Sequence, residues 1–371
     1  MLFLLLLPSC AEAPKRGAPP MNLEGVSFSS LSGWQGDSQS QALAAFIRSC
    51  PFLVKRNPEW ENACAAAGDV PAGDESAARA FFEQNFTPFE VSTNDGSQGL
   101  FTGYYEPELP GSLTPGGAFM TPLYARPPDL VDVDLGDFSE ELHGKRITGR
   151  IFSEHGYEKL KPYDTRAEIA RGSLADRASV IAYVSDPVDA FFLAVQGSGR
   201  IRLEGGDILR VGYDGGNGHS YVAIGKVMAE MGLIEKPVTM EAIRAWLEAN
   251  PGRGQEIMEM NPSYVFFRKI EVGAEDGPPG AAGVPLTPRR SLAVDPAYLT
   301  LGMPVWLETT DGEDGEFHHL MVAQDTGGAI KGPIRGDVFW GAGPGAAQEA
   351  GAMQSRGRYY LLLPKELHVG Q

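Results

Sequence analysis

Glycine and proline constrain this chain more than any other feature. It carries 46 Gly and 28 Pro in 371 residues, about a fifth of the total against a usual ~12%. Glycine pays a high entropic cost inside regular elements, and proline removes a backbone donor. The pattern therefore predicts many tight turns joined by short strands, with helices in a minor part. The length suits two domains of roughly 100–200 residues each, and a hydrophobic share of 43% is enough for real cores. Acidic groups outnumber basic ones 48 to 31, a net charge of −17. Such a chain has no general attraction for nucleic acid or anionic lipid, both of which are held by Lys/Arg patches. An anionic ligand would need local groups to hold it. No apolar run reaches the ~18–20 residues that cross a bilayer.

The apolar start Met1–Leu7 is short for a signal peptide and has no Lys or Arg before it. It ends in Leu7-Pro8-Ser9-Cys10, similar to a lipoprotein cleavage box, followed by a Pro-rich tether to residue 20. Export and a lipid anchor on Cys10 are the expectation. Cys50 and Cys64 both lie in helical-looking segments. They form either a clip across a helical hairpin in an oxidising compartment or two buried thiols. CxxC and HExxH are absent and the six His are scattered, so neither a metal site nor a cofactor is expected.

Helical periodicity runs from about 39 to 90, with Leu43, Phe46 and Ile47 on one face of Gln39–Cys50 and a second segment at Ser76–Phe86. Leu100–Pro107 reads as a strand entering a turn, and 108–175 shows weak periodicity. Strands are predicted at Val180–Val184 and Ala190–Val195. The latter is joined by Gln196–Gly199 to Arg200–Leu203 as a hairpin, followed by Ile208–Tyr213. Ser220–Gly232 reads as a helix. Met240–Asn250 is an amphipathic helix capped by Thr239 and ended by Pro251-Gly252, with Trp246 and Leu247 in its core stripe. Asn261–Ile270 is strand-like and Glu271–Gly283 is a loop. The last ninety residues alternate short strands (303–307, 320–324, 338–340, 359–363) with Gly turns, which suggests a small β-barrel.

Three Gly-flanked clusters mix carboxylate, amide, hydroxyl and aromatic groups, as carbohydrate sites require. They are Thr-Gly-Tyr-Tyr-Glu-Pro at 102–107, Gln-Gly-Ser-Gly-Arg at 196–200, and 324–341. Dinucleotide, phosphate-loop and serine-hydrolase motifs all fail: Arg202 replaces the third Gly of the first, and GxSxG is absent. Carboxylate proton transfer remains. Asp337 sits between Gly336 and a Val-Phe-Trp run, and apolar walls raise a carboxyl pKa so that it can act as an acid. Asp325 reads as a turn-former, Asp295 as structural, and His219 as a residue at the start of a helix. Glu106 is the outside candidate for a second carboxylate of an ordinary glycosidase.

Further blocks extend the pattern: Ala-Ile-Arg-Ala-Trp-Leu at 242–247, Asn-Pro-Ser-Tyr-Val-Phe-Phe at 261–267, 285–296, and Asp-Thr-Gly-Gly-Ala-Ile-Lys-Gly at 325–332. With the clusters above, in this order, the chain resembles the membrane-bound lytic murein transglycosylase A family. The resemblance implies a mainly β fold with flanking helices. A double-psi β-barrel would form from 21–105 and 262–371, and a β-rich substrate-binding domain would be inserted at 106–261, with a groove between them. It maps the family's three aspartates to Asp295, Asp325 and Asp337. It implies non-hydrolytic cleavage of peptidoglycan to a 1,6-anhydro product by Asp337, acting as acid and then base. Thr102, Tyr104, Gln196, Gly197, Ser198 and Asn261 would hold substrate, while Asp325 and Lys331 support the catalytic loop. The implied protein is a monomer in the periplasm, attached to the outer membrane and working on glycan strands. Two alternatives stay open: an inverting hydrolase using Asp325 and Asp337, and a non-catalytic expansin-like wall binder.

Overall fold

The computed structural model describes residues 20–367 apart from 144, 237, 274, 275 and 314. Cys10 lies outside the described residues. The N-terminal part contributes β1 (Asn22–Gly25), α1 (Gln39–Arg56), α2 (Glu61–Gly68), α3 (Glu75–Asn85), β2 (Phe86–Ser92) and β3 (Gly99–Glu106). The middle begins with β4 (Glu108–Ser112), β5 (Thr121–Tyr124), β6 (Val131–Asp134), β7 (Arg146–Glu154), β8 (Tyr157–Lys161), α4 (Arg166–Ala170) and β9 (Val180–Val184). It continues with α5 (Pro187–Gln196), β10 (Ser198–Leu203), β11 (Ile208–Gly216), α6 (Ile224–Glu230), α7 (Met240–Ala249), α8 (Pro251–Glu259) and β12 (Val265–Lys269). The C-terminal part adds β13 (Ser291–Val294), β14 (Pro304–Thr310), β15 (Glu316–Asp325), β16 (Arg335–Ala342), α9 (Pro344–Ala352) and β17 (Gln354–Pro364).

The fold is mainly β with helices, as the Gly/Pro content predicts. Both ends of the chain share one sheet in the order β1-β2-β17-β14-β15-β13-β16-β3, and β17 pairs with β3 as well. Neighbours therefore run β17–β14–β15–β13–β16–β3 and back to β17. Two contacts in this circuit are parallel, β13 with β15 and β16 with β3. The middle of the chain forms a six-stranded sheet, β12-β11-β10-β4-β9-β5, and a three-stranded one, β6-β7-β8. Strands thus occur where 108–175 showed little periodicity. The six-stranded sheet draws on residues from Glu108 to Lys269, so β12 lies past the 261/262 boundary expected from the sequence. Among the described residues no helix is long and apolar enough to cross a membrane.

Helices α1–α3 cover the first sheet. Phe46 of α1 meets Phe81, Phe82 and Phe86 with ring centroids 5.8–6.3 Å apart, and all four rings are buried. Such pairs add roughly 0.5–1.5 kcal/mol each beyond area burial. Cys50 of α1 and Cys64 of α2 are disulfide-bonded, which resolves the clip-or-thiols alternative. By restricting a 14-residue separation in the unfolded chain, the bridge contributes about 3 kcal/mol in a loop-closure account. The Cys50→Ala/Cys64→Ala double variant should lose about that much in urea unfolding, whereas an unchanged midpoint would show that the loop is already restrained without it.

Two predicted elements differ. Ala190–Val195 is helix α5, not a strand. The Asp186 carboxylate caps it by accepting from Val188 N at 2.8 Å, and Pro187 occupies its first turn. A six-residue apolar run fits a strand and a buried helix equally well, and this cap and Pro decide it. Gln196–Gly199 is consequently a helix-to-strand junction, not a hairpin. Pro251 both follows α7 and opens α8, because Pro is tolerated in a first helical turn. Thr239 caps α7 as expected, accepting from Ala242 N at 3.1 Å.

Candidate active site

Strand pairing assembles the site. In the parallel β3–β16 pair Thr102 lies beside Asp337 and Tyr104 beside Phe339. On the other side of β16, Asp337 pairs with Ala293 of β13, and Ala293 pairs in turn with Asp325 of β15. Asp325, Ala293, Asp337 and Thr102 thus form a row across four adjacent strands. This row needs β3 to lie close against the elements packed on it. A Cβ at Gly103 would come within 2.5 Å of Trp340 Nε1 and 2.7 Å of Ala350 Cα, so only Gly fits between Thr102 and Tyr104.

Asp337 is half-buried. Thr102 Oγ1 donates to its Oδ1 at 2.5 Å, and Arg335 Nη2 donates to that same Thr102 oxygen at 2.9 Å. Burial pushes the Asp337 carboxyl up to about 6. The Thr102 hydrogen bond and the Arg335 charge pull it down, and the nearby Asp325 charge adds to the rise. Desolvation wins because it penalises the carboxylate more than one hydroxyl and one guanidinium repay. Arg335 was not assigned a role from the sequence. It stands two residues before Asp337 on one strand, and that period-two spacing is the signal that places both on one face.

Asp325 is tied down by three donors. Tyr104 Oη gives to its Oδ2 at 2.8 Å, while Ala281 N and Thr326 N give to its Oδ1, each at 2.9 Å. Burial raises its pKa and these hydrogen bonds oppose the rise. Tyr104 is itself buried, its ring 5.3 Å from that of Phe339, and burial next to Asp325 drives its hydroxyl well above the usual tyrosine value. Asp295 accepts from Gly332 N at 2.8 Å and from Ala297 N at 3.2 Å, and the largely exposed Lys331 ammonium lies 3.8 Å from it. Asp295 thereby ties the loop between β15 and β16 at Gly332.

Gln196 ends α5, and its Oε1 accepts from Tyr105 N at 3.0 Å, so the helix of the six-stranded sheet reaches β3 directly. Gly197 follows in the left-handed region (φ 82°) as the helix C-cap, and Ser198 opens β10. Through Gln196 the end of α5 and the start of β10 lie against the C-terminal end of β3. Asn261 stands elsewhere. It is 1% exposed and its Oδ1 accepts from Val222 N at 3.1 Å and Ser263 N at 3.2 Å. Its Oδ1 thus links the segment before β12 to the segment before α6, apart from the Thr102–Asp337 row. His219 precedes α6 by several residues, with Nε2 against Tyr163 O at 2.7 Å. Glu106, the outside candidate, is fully buried and neutralised by Arg200 and Arg210 at 2.9 and 2.7 Å.

Comparison with known proteins places this arrangement. Residues 100–268 match the MltA specific insert domain and residues 290–363 the 3D domain. The membrane-bound lytic murein transglycosylase A of Escherichia coli (strain K12) is 37% identical over 271 residues, 71% of this chain and 65% of that protein. The match therefore spans slightly under two thirds of the curated relative's length. The crystal structure of MltA from Neisseria gonorrhoeae aligns with a TM-score of 0.80 at 34% identity, covering 95% of this chain and 96% of that one. The structure of E. coli MltA with bound chitohexaose aligns at a TM-score of 0.67 and 28% identity, covering 97% and 99%. On the match to the gonococcal structure, at 34% identity over 96% of that chain, and the two domain matches, the chain belongs to the membrane-bound lytic murein transglycosylase A (MltA) family.

Proposed function

We propose that this chain is a lytic transglycosylase that cleaves the β-1,4 bond between N-acetylmuramic acid and N-acetylglucosamine in peptidoglycan, without water. The observation that carries the reading is the Asp337 carboxyl held by Thr102, with Arg335 behind that hydroxyl, in a setting whose burial pushes it up to about 6. A proton on Asp337 passes to the glycosidic oxygen as the bond to C1 breaks. The carboxylate so formed then takes the proton of the muramic acid C6 hydroxyl, and that oxygen bonds to C1. A 1,6-anhydro ring closes and Asp337 is protonated again. Because the nucleophile belongs to the same sugar, its attack is intramolecular and a second carboxylate is not required. Names of relatives support the substrate: they are lytic murein transglycosylases, and one was solved with chitohexaose.

In this reading Thr102 and Tyr104 position the acid and its neighbour Asp325, and Lys331 steadies the loop with Asp295. Gln196, Gly197 and Ser198 line the glycan path between the two sheets. We read the β17–β14–β15–β13–β16–β3 circuit as a double-psi β-barrel and the six-stranded sheet as an inserted substrate-binding domain. The site of action is the periplasmic face of the outer membrane, reached by a monomer through a lipid on Cys10. An inverting hydrolase with Asp325 as base fits less well. Both Asp325 oxygens already accept hydrogen bonds, three in all, and leave little room to activate water.

Mass spectrometry of soluble products from purified peptidoglycan tests the reading: anhydro-muropeptides are expected, and reducing ends would overturn it. The pH profile gives an independent check. Only protonated Asp337 starts the reaction, so kcat/KM should be level below about pH 6 and fall about tenfold per unit above it. A bell with a second, acidic limb would indicate two working carboxyls.

A further inference from the structure

The six-stranded sheet carries a cavity of about 290 Å³ away from Asp337, lined by Met120, Tyr124, Phe191, Ala194, Met258 and Arg166 among others. Its α5 wall presents Ala190 and Ala194, one turn apart, and these small side chains leave the space open. The walls are mostly apolar, with one cation. Arg166 is only 9% exposed. Its Nε donates to Asn261 O at 3.2 Å and its Nη2 to Ser263 O at 2.7 Å. The Phe191 ring lies 4.6 Å from the guanidinium and the Tyr264 ring 5.3 Å.

Among the described residues, Nη1 makes no hydrogen bond and no carboxylate pairs with this guanidinium. Burial lowers its pKa to about 10, with only tyrosines acting against that; it remains a cation at neutral pH. A buried charge without a counter-ion costs several kcal/mol, while a carboxylate accepting from a guanidinium forms one of the stronger protein hydrogen bonds. The cavity is too small and too apolar for a sugar chain, and one free guanidinium nitrogen suits a single carboxylate better than a phosphate.

We propose that this cavity binds the free C-terminal carboxylate of a short peptide with methyl-sized side chains, the chemistry of a peptidoglycan stem peptide. The carboxylate docks on Arg166 Nη1 and the methyl groups lie against Ala190, Ala194 and Met258. This names a second part of the substrate and rests on peptidoglycan being the substrate. Helix α5 joins the two places: its Ala190–Ala194 face walls the cavity, and Gln196 at its end touches β3.

The test is binding, measured without turnover, of N-acetyl-D-alanyl-D-alanine and of its C-terminal amide, by calorimetry on the full chain. The free acid is expected to bind at least about tenfold tighter than the amide, the loss of one charge-assisted hydrogen bond. Arg166→Gln should erase that difference. Because Arg166 also ties two backbone carbonyls and its loss can unfold the region, Ala194→Leu serves as the second variant. It fills the cavity and leaves Arg166 in place, and should weaken the acid at least about tenfold while the thermal melt stays cooperative. Equal binding of acid and amide, no binding at millimolar peptide, or undiminished binding by a folded Ala194→Leu chain would each overturn the proposal. A chain that binds the acid yet releases no anhydro-sugar would leave this site standing and remove the transglycosylase reading; one that cleaves glycan and ignores the peptide does the reverse.

Discussion

Asp337→Asn is expected to lower peptidoglycan turnover by about 10²–10⁴-fold, the usual worth of one general acid–base group, while making the folded chain more stable at neutral pH. The amide keeps the shape and still accepts from Thr102 Oγ1, but it has no proton to give. The stability gain follows from the raised pKa. The folded carboxyl holds its proton up to about 6, against 3.8 for an unperturbed aspartate. Its contribution is therefore fully present below about pH 4 and is lost as pH rises through 6. At pH 7.5 the native chain carries a desolvated charge whose removal returns about 2 kcal/mol, after a discount for the partial exposure of the group. Thermal melts should show the Asn variant ahead of the parent at pH 7.5 and level with it at pH 3.5. A variant that melts like the parent at both values would mean that Asp337 is solvated and of ordinary acidity, and full turnover would remove it from the chemistry. A non-catalytic wall binder would keep all its effect on peptidoglycan after this change.

Glu106→Ala should have the larger effect on folding and the smaller one on catalysis. The Glu106 carboxylate accepts from Arg200 Nε at 2.9 Å and from Arg210 Nη2 and Nε at 2.7 and 3.2 Å. Arg210 also donates to Gly273 O and Asp276 O. Removing the carboxylate strands two guanidinium groups, one of them almost wholly enclosed, and breaking such a buried pair costs about 3–5 kcal/mol. The position adds to the consequence. Glu106 ends β3, and β4 starts two residues later in the other sheet. Its partners Arg200 and Arg210 are on β10 and β11, so one carboxylate fastens the strand bearing Thr102 to the six-stranded sheet. Urea unfolding should show the loss, and the folded fraction should keep kcat within a few-fold of the parent. A collapse of kcat in protein shown to be folded would instead make Glu106 a second working carboxylate.

Much of this protein was legible locally. Gly and Pro content predicted turns and short strands, and the periodic segments at 39–50 and 240–250 became α1 and α7, the latter with its Thr239 cap. Asp337 beside an apolar strand pointed to a raised pKa, and burial supplies it. Local reading stopped where two structures share one pattern. Ala190–Val195 suits a strand or a buried helix, and the Asp186 cap and Pro187 had to be weighed above the apolar run. Asn261 shows the same limit for a motif residue: its Oδ1 accepts from Val222 N, 39 residues away, a partner that no local pattern displays.

What the linear order of residues determined was the inventory: which segments pair as strands or coil as helices, and which carboxyls stand next to apolar neighbours. Only the tertiary structure decided what those groups touch. Thr102 reaches Asp337 across 235 residues, and Tyr104 reaches Asp325 across 221. Glu106, chemically the equal of either aspartate, meets two arginines and becomes a clamp. The physical reason is one of range. Propensity, capping and periodicity act over a few residues, whereas desolvation and hydrogen bonding to a carboxyl depend on whatever the fold brings against it.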